Sequence, residues 1–233
     1  MDLLCVFDLW RNKLVFGKNV IIWDLDNTLY CETPEFADKL DEVMATALIE
    51  DFCVPMTLAD CKARVKESYR IYRDGGELFY RDFHISQKEL SDAYHFRKPV
   101  ELIVPYDNLA NRMAQLDAEQ FVFTASNRYA SERILKQIGL YEMFKNRFYS
   151  VEDFGQFNKN KDAEIYLQYC RKIKKKPEDC LFVDDSYSNL EFAKAAGLTT
   201  VRIYYQNNSA KDKPYIDMAF KGLNGFLTAA LEK

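Results

Sequence analysis

The sequence predicts an α/β fold in which a parallel sheet is interrupted by an inserted all-helical segment. After residue 105, short apolar runs alternate with stretches of helical periodicity, which is typical of a parallel sheet with right-handed crossovers. Between residues 31 and 105 the apolar spacing is helical throughout. We therefore expect residues 1–30 and 106–233 to form the α/β core and residues 31–105 to form the helical insert.

The composition is that of an ordinary globular protein. Of 233 residues, 48% are hydrophobic and 29% charged, and the net charge of -4 argues against a nucleic acid polymer as partner. No apolar run is long enough to cross a bilayer, and no basic segment precedes the apolar residues 3–7 as in a signal peptide. Six cysteines without a Cys-x-x-Cys pair, and two histidines, form no zinc pattern. We expect a cytoplasmic protein with reduced thiols and no membrane contact.

The first strand is predicted at residues 19–25, where an apolar run ends in a polar turn. Such a run is typical of a strand buried on both faces of a parallel sheet. Residues 1–18 precede it as an extension in which Leu3, Phe7 and Trp10 recur at roughly helical spacing, which predicts a short helix against the sheet.

The helical insert contains its own start and stop signals. Thr33 is a predicted N-cap with Pro34 at the first helical position. A second helix is predicted at 57–72, broken by the Asp-Gly-Gly sequence at 74–76. Ser86 begins a third helix, and Glu89 completes a capping-box pattern.

The remaining chain is predicted to alternate between the two kinds of element. The pattern gives strands at 120–125, 148–150, 180–184 and 199–203, the last being the final core strand, and helices at 108–116, 129–138, 162–173 and 189–196. Asp162 is the predicted N-cap of its helix, and glycines 139 and 197 end two others. A polar loop at 207–213 leads to a last helix with an apolar face.

Polar side chains follow three predicted strands at the point where each strand ends. They are Asp24 and Asp26, the segment 124–127 (Thr-Ala-Ser-Asn), and Asp184 with Asp185. Because the carboxyl ends of parallel strands meet at one edge of a sheet, these groups are expected to converge. Carboxylates without paired histidine or cysteine favour Mg²⁺. Three unrelated turns rich in Asp, Ser and Asn are the alternative, which their joint occurrence disfavours.

These segments resemble the four motifs of haloacid dehalogenase-like hydrolases. The resemblance runs from about residue 19 to 205 and is carried by Asp24-Leu25-Asp26-Asn27-Thr28, Phe123-Thr124-Ala125-Ser126-Asn127, a loop with Lys159 and Lys161, and Val183-Asp184-Asp185-Ser186. The Asp-Leu-Asp-Asn-Thr-Leu-Tyr sequence and the insert with Tyr72, Gly76, Leu78 and His84 are most similar to the pyrimidine 5'-nucleotidase branch. The resemblance implies a Rossmann-like core under a mobile helical cap, the cap being residues 31–105.

The resemblance also implies roles for the polar residues. Asp24 would be a nucleophile that forms an aspartyl-phosphate, and Asp26 would act as acid and then as base. Because a dehalogenase needs no acid at this point, Asp26 favours a phosphoester substrate. The Thr124 hydroxyl and the backbone N–H of Ser126 or Asn127 would bind phosphate. The implied Mg²⁺ ligands are Asp24, the backbone carbonyl of Asp26, Asp185, and Asp184 as a further or indirect ligand.

The lysine departs from the family pattern, in which a Lys-Pro dipeptide precedes the helix. Aligning the helix start places Asn160 at the lysine position, with Lys159 and Lys161 on either side. Either lysine remains a candidate for binding phosphate, and a solvated loop charge is the alternative for each.

The first functional hypothesis is therefore a Mg²⁺-dependent phosphomonoester hydrolase, in particular a pyrimidine nucleotide 5'-phosphatase. A sugar-phosphate phosphatase, a phosphomutase of the same fold and a non-catalytic regulatory protein are the alternatives, and the complete set of acidic positions disfavours the last. The oligomeric state stays open. Aromatic residues of the insert are candidates for stacking on a base, although packing is the commoner use of such residues: Tyr69, Tyr72, Phe79, Tyr80 and Phe83.

Overall fold

The computed structural model describes residues 15–205 and 213–232. Within these ranges the core is a six-stranded sheet in the order β3-β2-β1-β4-β5-β6, and all its neighbouring strands are parallel. This confirms the predicted α/β class. The strands are β1 (Val20–Trp23), β2 (Glu119–Thr124), β3 (Phe148–Ser150), β4 (Cys180–Asp184), β5 (Thr199–Tyr204) and β6 (Met218–Lys221).

Ten helices accompany the sheet in the described ranges. They are α1 (Pro34–Glu50), α2 (Leu58–Tyr72), α3 (Glu77–Phe83), α4 (Gln87–Phe96), α5 (Leu109–Ala114), α6 (Arg128–Gln137), α7 (Tyr141–Phe144), α8 (Glu164–Ile173), α9 (Tyr187–Ala195) and α10 (Gly222–Leu231). Short 3₁₀ turns lie at Val100–Leu102, Val151–Phe154 and Pro177–Asp179. None of the helices in the described ranges is both long enough and apolar enough to span a bilayer.

Strand β1 is central to the sheet because it pairs with β2 on one side and β4 on the other. Its four residues are all buried, and they alternate between two apolar layers, with Ile21 and Trp23 facing one layer and Val20 and Ile22 the other. Trp23 lies level with Val122 of β2 and Val183 of β4. β1 ends at this level, whereas β2 and β4 continue to Thr124 and Asp184 at the same edge of the sheet.

Helices α1 to α4 lie within the predicted insert, between residues 34 and 96, and pack around an apolar cluster of their own. Ala45, Leu48, Val65, Phe79 and Leu90 belong to this cluster. The hydroxyls of Thr33 and Ser86 accept the backbone N–H groups of Phe36 and Glu89, which confirms these two predicted N-caps. Thr57, predicted only as the start of its helix, caps α2 in the same way through the N–H of Asp60. Helix α3, which follows the Asp-Gly-Gly break, was not among the predicted elements.

Several predicted elements need correction. Strand 199–203 is not the last of the sheet, since β6 extends it at the edge, where half-buried residues give only a weak strand pattern. Helix α8 begins at Glu164 rather than at Asp162, although the Asp162 carboxylate still accepts the N–H of Glu164 at 2.9 Å. Helix α9 begins at Tyr187, two residues before the predicted start. The helix predicted near the N-terminus falls in residues 1–14, and most of the polar loop in 206–212, outside the described residues.

Candidate active site

Three carboxylates meet at the carboxyl edge of the sheet. Asp24 follows β1, Asp184 ends β4 and Asp185 comes next, and one oxygen from each lies within 4.8 Å of the others. Asp24 and Asp184 are buried. The backbone N–H of Asp24 donates to the carbonyl of Val183 at 2.8 Å, so the pairing of β1 with β4 continues into the site and fixes the spacing of the two carboxylates.

Lys159 is the cation of this cluster. Its ammonium contacts the carboxylate of Asp24, donates to that of Asp184 at 2.9 Å and to the carbonyl of Phe123 at 3.1 Å. The Lys159 side chain is only 1% exposed, whereas Lys161 is exposed on the surface. The structure thus brings one of the two candidate lysines to the carboxylates and leaves the other in solvent. The later start of α8 lengthens the loop before the helix, and this loop carries Lys159 inward.

The cluster has an excess of negative charge. Burial raises the pKa of Asp24 to about 7, against the attraction of Lys159 and together with the repulsion of Asp184. Burial and the neighbouring carboxylates also raise the pKa of Asp185 well above its usual value. Three carboxylates face one ammonium, so two negative charges would remain uncompensated when all are ionised. Oxygen donors with this excess charge fit a divalent cation such as Mg²⁺.

The carboxylate of Asp26 points into a separate polar group. Its Oδ1 accepts the Tyr30 hydroxyl at 2.7 Å and contacts the ammonium of Lys98, while its Oδ2 accepts the Ser126 hydroxyl at 2.6 Å and faces that of Thr124 at 3.4 Å. Burial alone would raise the pKa of Asp26, but Lys98 and these hydrogen bonds hold it well below its usual value. The metal role implied for Asp26 concerns its backbone carbonyl, and its side chain is engaged elsewhere.

The polar residues at the end of β2 have two different roles, since some contact Asp26 and one caps the next helix. Thr124 and Ser126 are buried beside Asp26, and the Ser126 backbone N–H donates to the Thr124 hydroxyl at 3.0 Å. The Asn127 side chain instead caps α6, accepting the N–H of Ala130 at 2.9 Å. Of the predicted phosphate-binding residues, Asn127 therefore has only its backbone left for a ligand.

Sequence reasoning missed several polar residues at the site. Asn27, in the left-handed region with φ of 52°, donates its amide to Asp185 at 2.7 Å and accepts the backbone N–H of Glu32 at 3.1 Å. Asn27 belongs to the Asp24–Thr28 motif but was given no role there, and its place in the motif is the signal that could have identified it. Lys98 lies in the predicted insert, 72 residues from Asp26, and no local pattern distinguishes it.

Most candidate stacking residues of the insert are used in packing. Phe79 is buried and stacks on Phe83, and Tyr72 lies under the guanidinium of Arg81 at 4.6 Å. The Tyr80 hydroxyl is hydrogen-bonded to Asp74, and with burial this raises the pKa of Tyr80.

Tyr69 differs from these residues, because it is 56% exposed and its pKa is raised by burial of the hydroxyl and by the charges of Asp185 and Glu32. Of the five candidates, it is the one whose pKa is raised by a carboxylate of the cluster, Asp185. Glu32 lies at the same seam between insert and core, and burial raises its pKa to about 7 against the attraction of Lys98.

A small cleft of about 30 Å³ opens between α4 and the loops that follow β2 and β3. Lys88 and Asp92 line it from α4, and Asn127, Gln156 and Phe157 line it from the core. Because both the insert and the core contribute, a ligand in this cleft would contact both. Most of the surface that the cleft exposes is apolar, although several of its lining residues are polar.

An α/β sheet with an acidic cluster at its carboxyl edge and a helical insert after β1 defines a class of site suited to a divalent cation and an anionic substrate. Residues 18–197 match the haloacid dehalogenase-like hydrolase family, and this match covers most of the chain. The protein belongs to this family.

Solved structures agree with this assignment at the level of the fold. A HAD phosphatase from Thermococcus onnurineus is 19% identical with a TM-score of 0.59, covering 88% of this chain and 94% of that one. A proposed beta-phosphoglucomutase from Thermotoga maritima is 20% identical with a TM-score of 0.58, covering 92% and 97%. A proposed hydrolase from Bacillus subtilis bound to magnesium is 18% identical with a TM-score of 0.60, covering 93% and 99%.

Proposed function

We propose that this protein is a Mg²⁺-dependent phosphomonoester hydrolase that works through an aspartyl-phosphate on Asp24. The observation that carries the proposal is the placement of Asp24 between the buried ammonium of Lys159 and the carboxylates of Asp184 and Asp185, with a second carboxylate, Asp26, held separately beside it. This arrangement supports one carboxylate as the attacking group and another as the group that transfers protons.

Asp24 would act as the nucleophile. The Thr28 hydroxyl donates to its Oδ2 at 3.0 Å and Lys159 contacts its Oδ1, so both oxygens are oriented. An oxygen of Asp24 attacks phosphorus, the bond from phosphorus to the leaving oxygen breaks, and Asp26 in its protonated form gives that oxygen its proton. Water then attacks phosphorus, its proton passes to Asp26, and the bond between phosphorus and Asp24 breaks to release inorganic phosphate.

Asp24, Asp184 and Asp185 would hold Mg²⁺, with the backbone carbonyl of Asp26 implied by the family resemblance. When bound, the metal would neutralise negative charge where the nucleophile meets the phosphate. The magnesium in the Bacillus subtilis relative supports this metal. Lys159 and Thr124 would contact the phosphate oxygens. The ammonium of Lys159 is a charged donor, which is consistent with binding an anion.

The helical segment at 31–105 would act as a cap that selects the leaving group. For a pyrimidine nucleotide, Tyr69 would supply the stacking surface, since it is exposed and lies near enough to Asp185 for that charge to raise its pKa. Aromatic stacking contributes about 1–3 kcal/mol per base. We therefore propose pyrimidine nucleotides as the substrate class, which would make the protein a pyrimidine nucleotide 5'-phosphatase. Tyr69 is the main support for this choice.

A sugar phosphate is the second candidate, as substrate of a phosphatase or of a phosphomutase. The cleft has the polar side chains Lys88, Asp92 and Gln156 among its lining residues, and these could hydrogen-bond a leaving group rich in hydroxyls. The half-buried carboxylate of Glu32 offers a further hydroxyl acceptor at the seam.

Steady-state kinetics with Mg²⁺ on UMP, CMP, AMP and ribose 5-phosphate test the proposal, with Asp24→Asn as the inactive control. We expect the two pyrimidine nucleotides to have the highest kcat/KM, by roughly tenfold over ribose 5-phosphate from one stacked base. Equal or faster turnover of ribose 5-phosphate would favour the sugar-phosphate candidate. An absence of Asp24-dependent hydrolysis for all four would contradict the proposed activity.

A further inference from the structure

Lys98 lies where the chain returns from the helical insert to the core. It follows the end of α4 at Phe96 and precedes Pro99 and the 3₁₀ turn at Val100–Leu102. Its side chain is only 3% exposed, although lysine is rarely buried without a partner. The ammonium contacts the carboxylate of Asp26 and donates to the Ser126 hydroxyl at 3.2 Å. This lysine belongs to none of the motifs that define the site.

The hydrogen bonds around Asp26 all use its carboxylate as an acceptor. Lys98 and the Tyr30 hydroxyl donate to one oxygen, and the Ser126 hydroxyl donates to the other. An ammonium has three donors and no acceptor, so Lys98 acts on Asp26 only as a donor. The arrangement fixes the position and the orientation of the carboxylate.

The two half-reactions of the proposed function need opposite things from Asp26. Forming the aspartyl-phosphate requires a proton for the leaving oxygen, whereas hydrolysing it requires a base that takes a proton from water. In the second step the water oxygen bonds to phosphorus, the bond from phosphorus to the Asp24 oxygen breaks, and the water proton passes to Asp26. Both steps need the Asp26 carboxylate in place, and the second step needs it even when the leaving oxygen departs without an acid.

We propose that Lys98 is a positioning residue that holds the Asp26 carboxylate in the orientation from which it activates water on the aspartyl-phosphate. This inference rests on the proposed function. Because Lys98 is carried by the helical insert and Asp26 by the core, the base is fully held only when the returning segment of the insert lies against β1 and β2.

The neighbouring Arg97 provides a matched control. It is a cation in the same returning segment, but its guanidinium pairs with Asp51 at 2.6 Å and lies 3.7 Å from Glu50, both on the insert. Arg97→Met therefore removes a salt bridge from the same segment without touching Asp26. Lys98→Arg keeps the charge, and Lys98→Met removes it at similar length.

The test is rapid-mixing kinetics with p-nitrophenyl phosphate and Mg²⁺. This leaving group departs with little help from an acid, so the first step depends weakly on Asp26 and the second step depends on it fully. For Lys98→Met we expect the steady-state rate to fall about tenfold to a hundredfold, within the range of a positioned base. A burst approaching one p-nitrophenolate per enzyme should precede it, because the aspartyl-phosphate accumulates. Lys98→Arg should recover part of the rate, and Arg97→Met should behave like the natural protein.

A purely structural role of Lys98 would slow both steps together and give no burst, which would overturn the inference. The same burst in Arg97→Met would also overturn it, because the effect would then come from the segment and not from Asp26. Circular dichroism establishes that each variant is folded, and Lys98→Gln replaces Lys98→Met if the latter is not. Failure of the natural protein to hydrolyse any phosphomonoester contradicts the proposed function itself, whereas normal hydrolysis with an unaltered Lys98→Met contradicts only the role of Lys98.

Discussion

Replacing Lys159 by methionine should reveal how much of the stability of the fold comes from the positive charge that Lys159 places beside the buried carboxylates. The ammonium is buried and contacts Asp24, Asp184 and the carbonyl of Phe123, so its loss leaves the two carboxylates facing each other. Removing one partner of a buried ion pair typically costs about 3–5 kcal/mol. In a chain of this length, about 2–4 °C per kcal/mol makes this a fall in melting temperature of roughly 6–20 °C.

The loss in Lys159→Met should depend on pH and on metal. At low pH the carboxylates bind protons, and Asp24 does so readily because burial already raises its pKa to about 7. The destabilisation should therefore be smaller at pH 5 than at pH 8. Mg²⁺ should restore part of the stability at pH 8, because a divalent cation among the carboxylates replaces the missing positive charge.

Urea unfolding followed by circular dichroism measures these free energies, with Lys161→Met as the matched control. Lys161 is exposed two residues away, so its replacement should change the free energy of unfolding by no more than about 0.5 kcal/mol. Equal stability of the two variants at pH 8 without metal would refute the reasoning, since it would mean that the Lys159 ammonium does not compensate the cluster.

Three further predictions concern the same site. The metal-free natural protein should lose stability as the pH rises from about 4 to 7, because the pKa of Asp24 is raised from 3.8 to about 7 and the folded state binds the extra proton. Urea unfolding midpoints should fall across this range and should change less with pH when Mg²⁺ is present. A midpoint that rises with pH would contradict the prediction. Asn27→Gly, which suits the positive φ but removes the amide on Asp185, should raise the Mg²⁺ concentration for half-maximal activity about tenfold in a metal titration. Tyr69→Ala should lower kcat/KM for UMP by roughly tenfold while leaving ribose 5-phosphate unaffected, and an equal loss for both substrates would remove Tyr69 from base recognition.

The parts of the fold that follow from local chemistry could be predicted from the sequence. The Thr33, Thr57 and Ser86 caps depend on a hydroxyl and a backbone N–H within three residues, so the sequence alone contains both partners. The convergence of Asp24 with Asp184 follows from parallel pairing, because the carboxyl ends of neighbouring strands share one edge.

Contacts between distant segments could not be predicted in this way. Lys98 meets Asp26 across 72 residues, through the packing of the whole helical insert, and a single lysine in a polar segment gives no sign of burial. The choice between Lys159 and Lys161 depends on where α8 begins, and helix starts are uncertain by one or two residues in sequence. Strand β6 is short and half-buried at the sheet edge, so its apolar pattern is weak.

The central claim is that Asp24 becomes phosphorylated during turnover. Acid quenching of the protein during turnover of a phosphomonoester with Mg²⁺, followed by proteolysis and mass spectrometry, measures it directly. We expect a phosphoryl group on the peptide that contains Asp24, present in the natural protein, enriched in Lys98→Met and absent from Asp24→Asn. Hydrolysis that proceeds with no phosphoryl group on this peptide, or that continues in Asp24→Asn, would contradict the account.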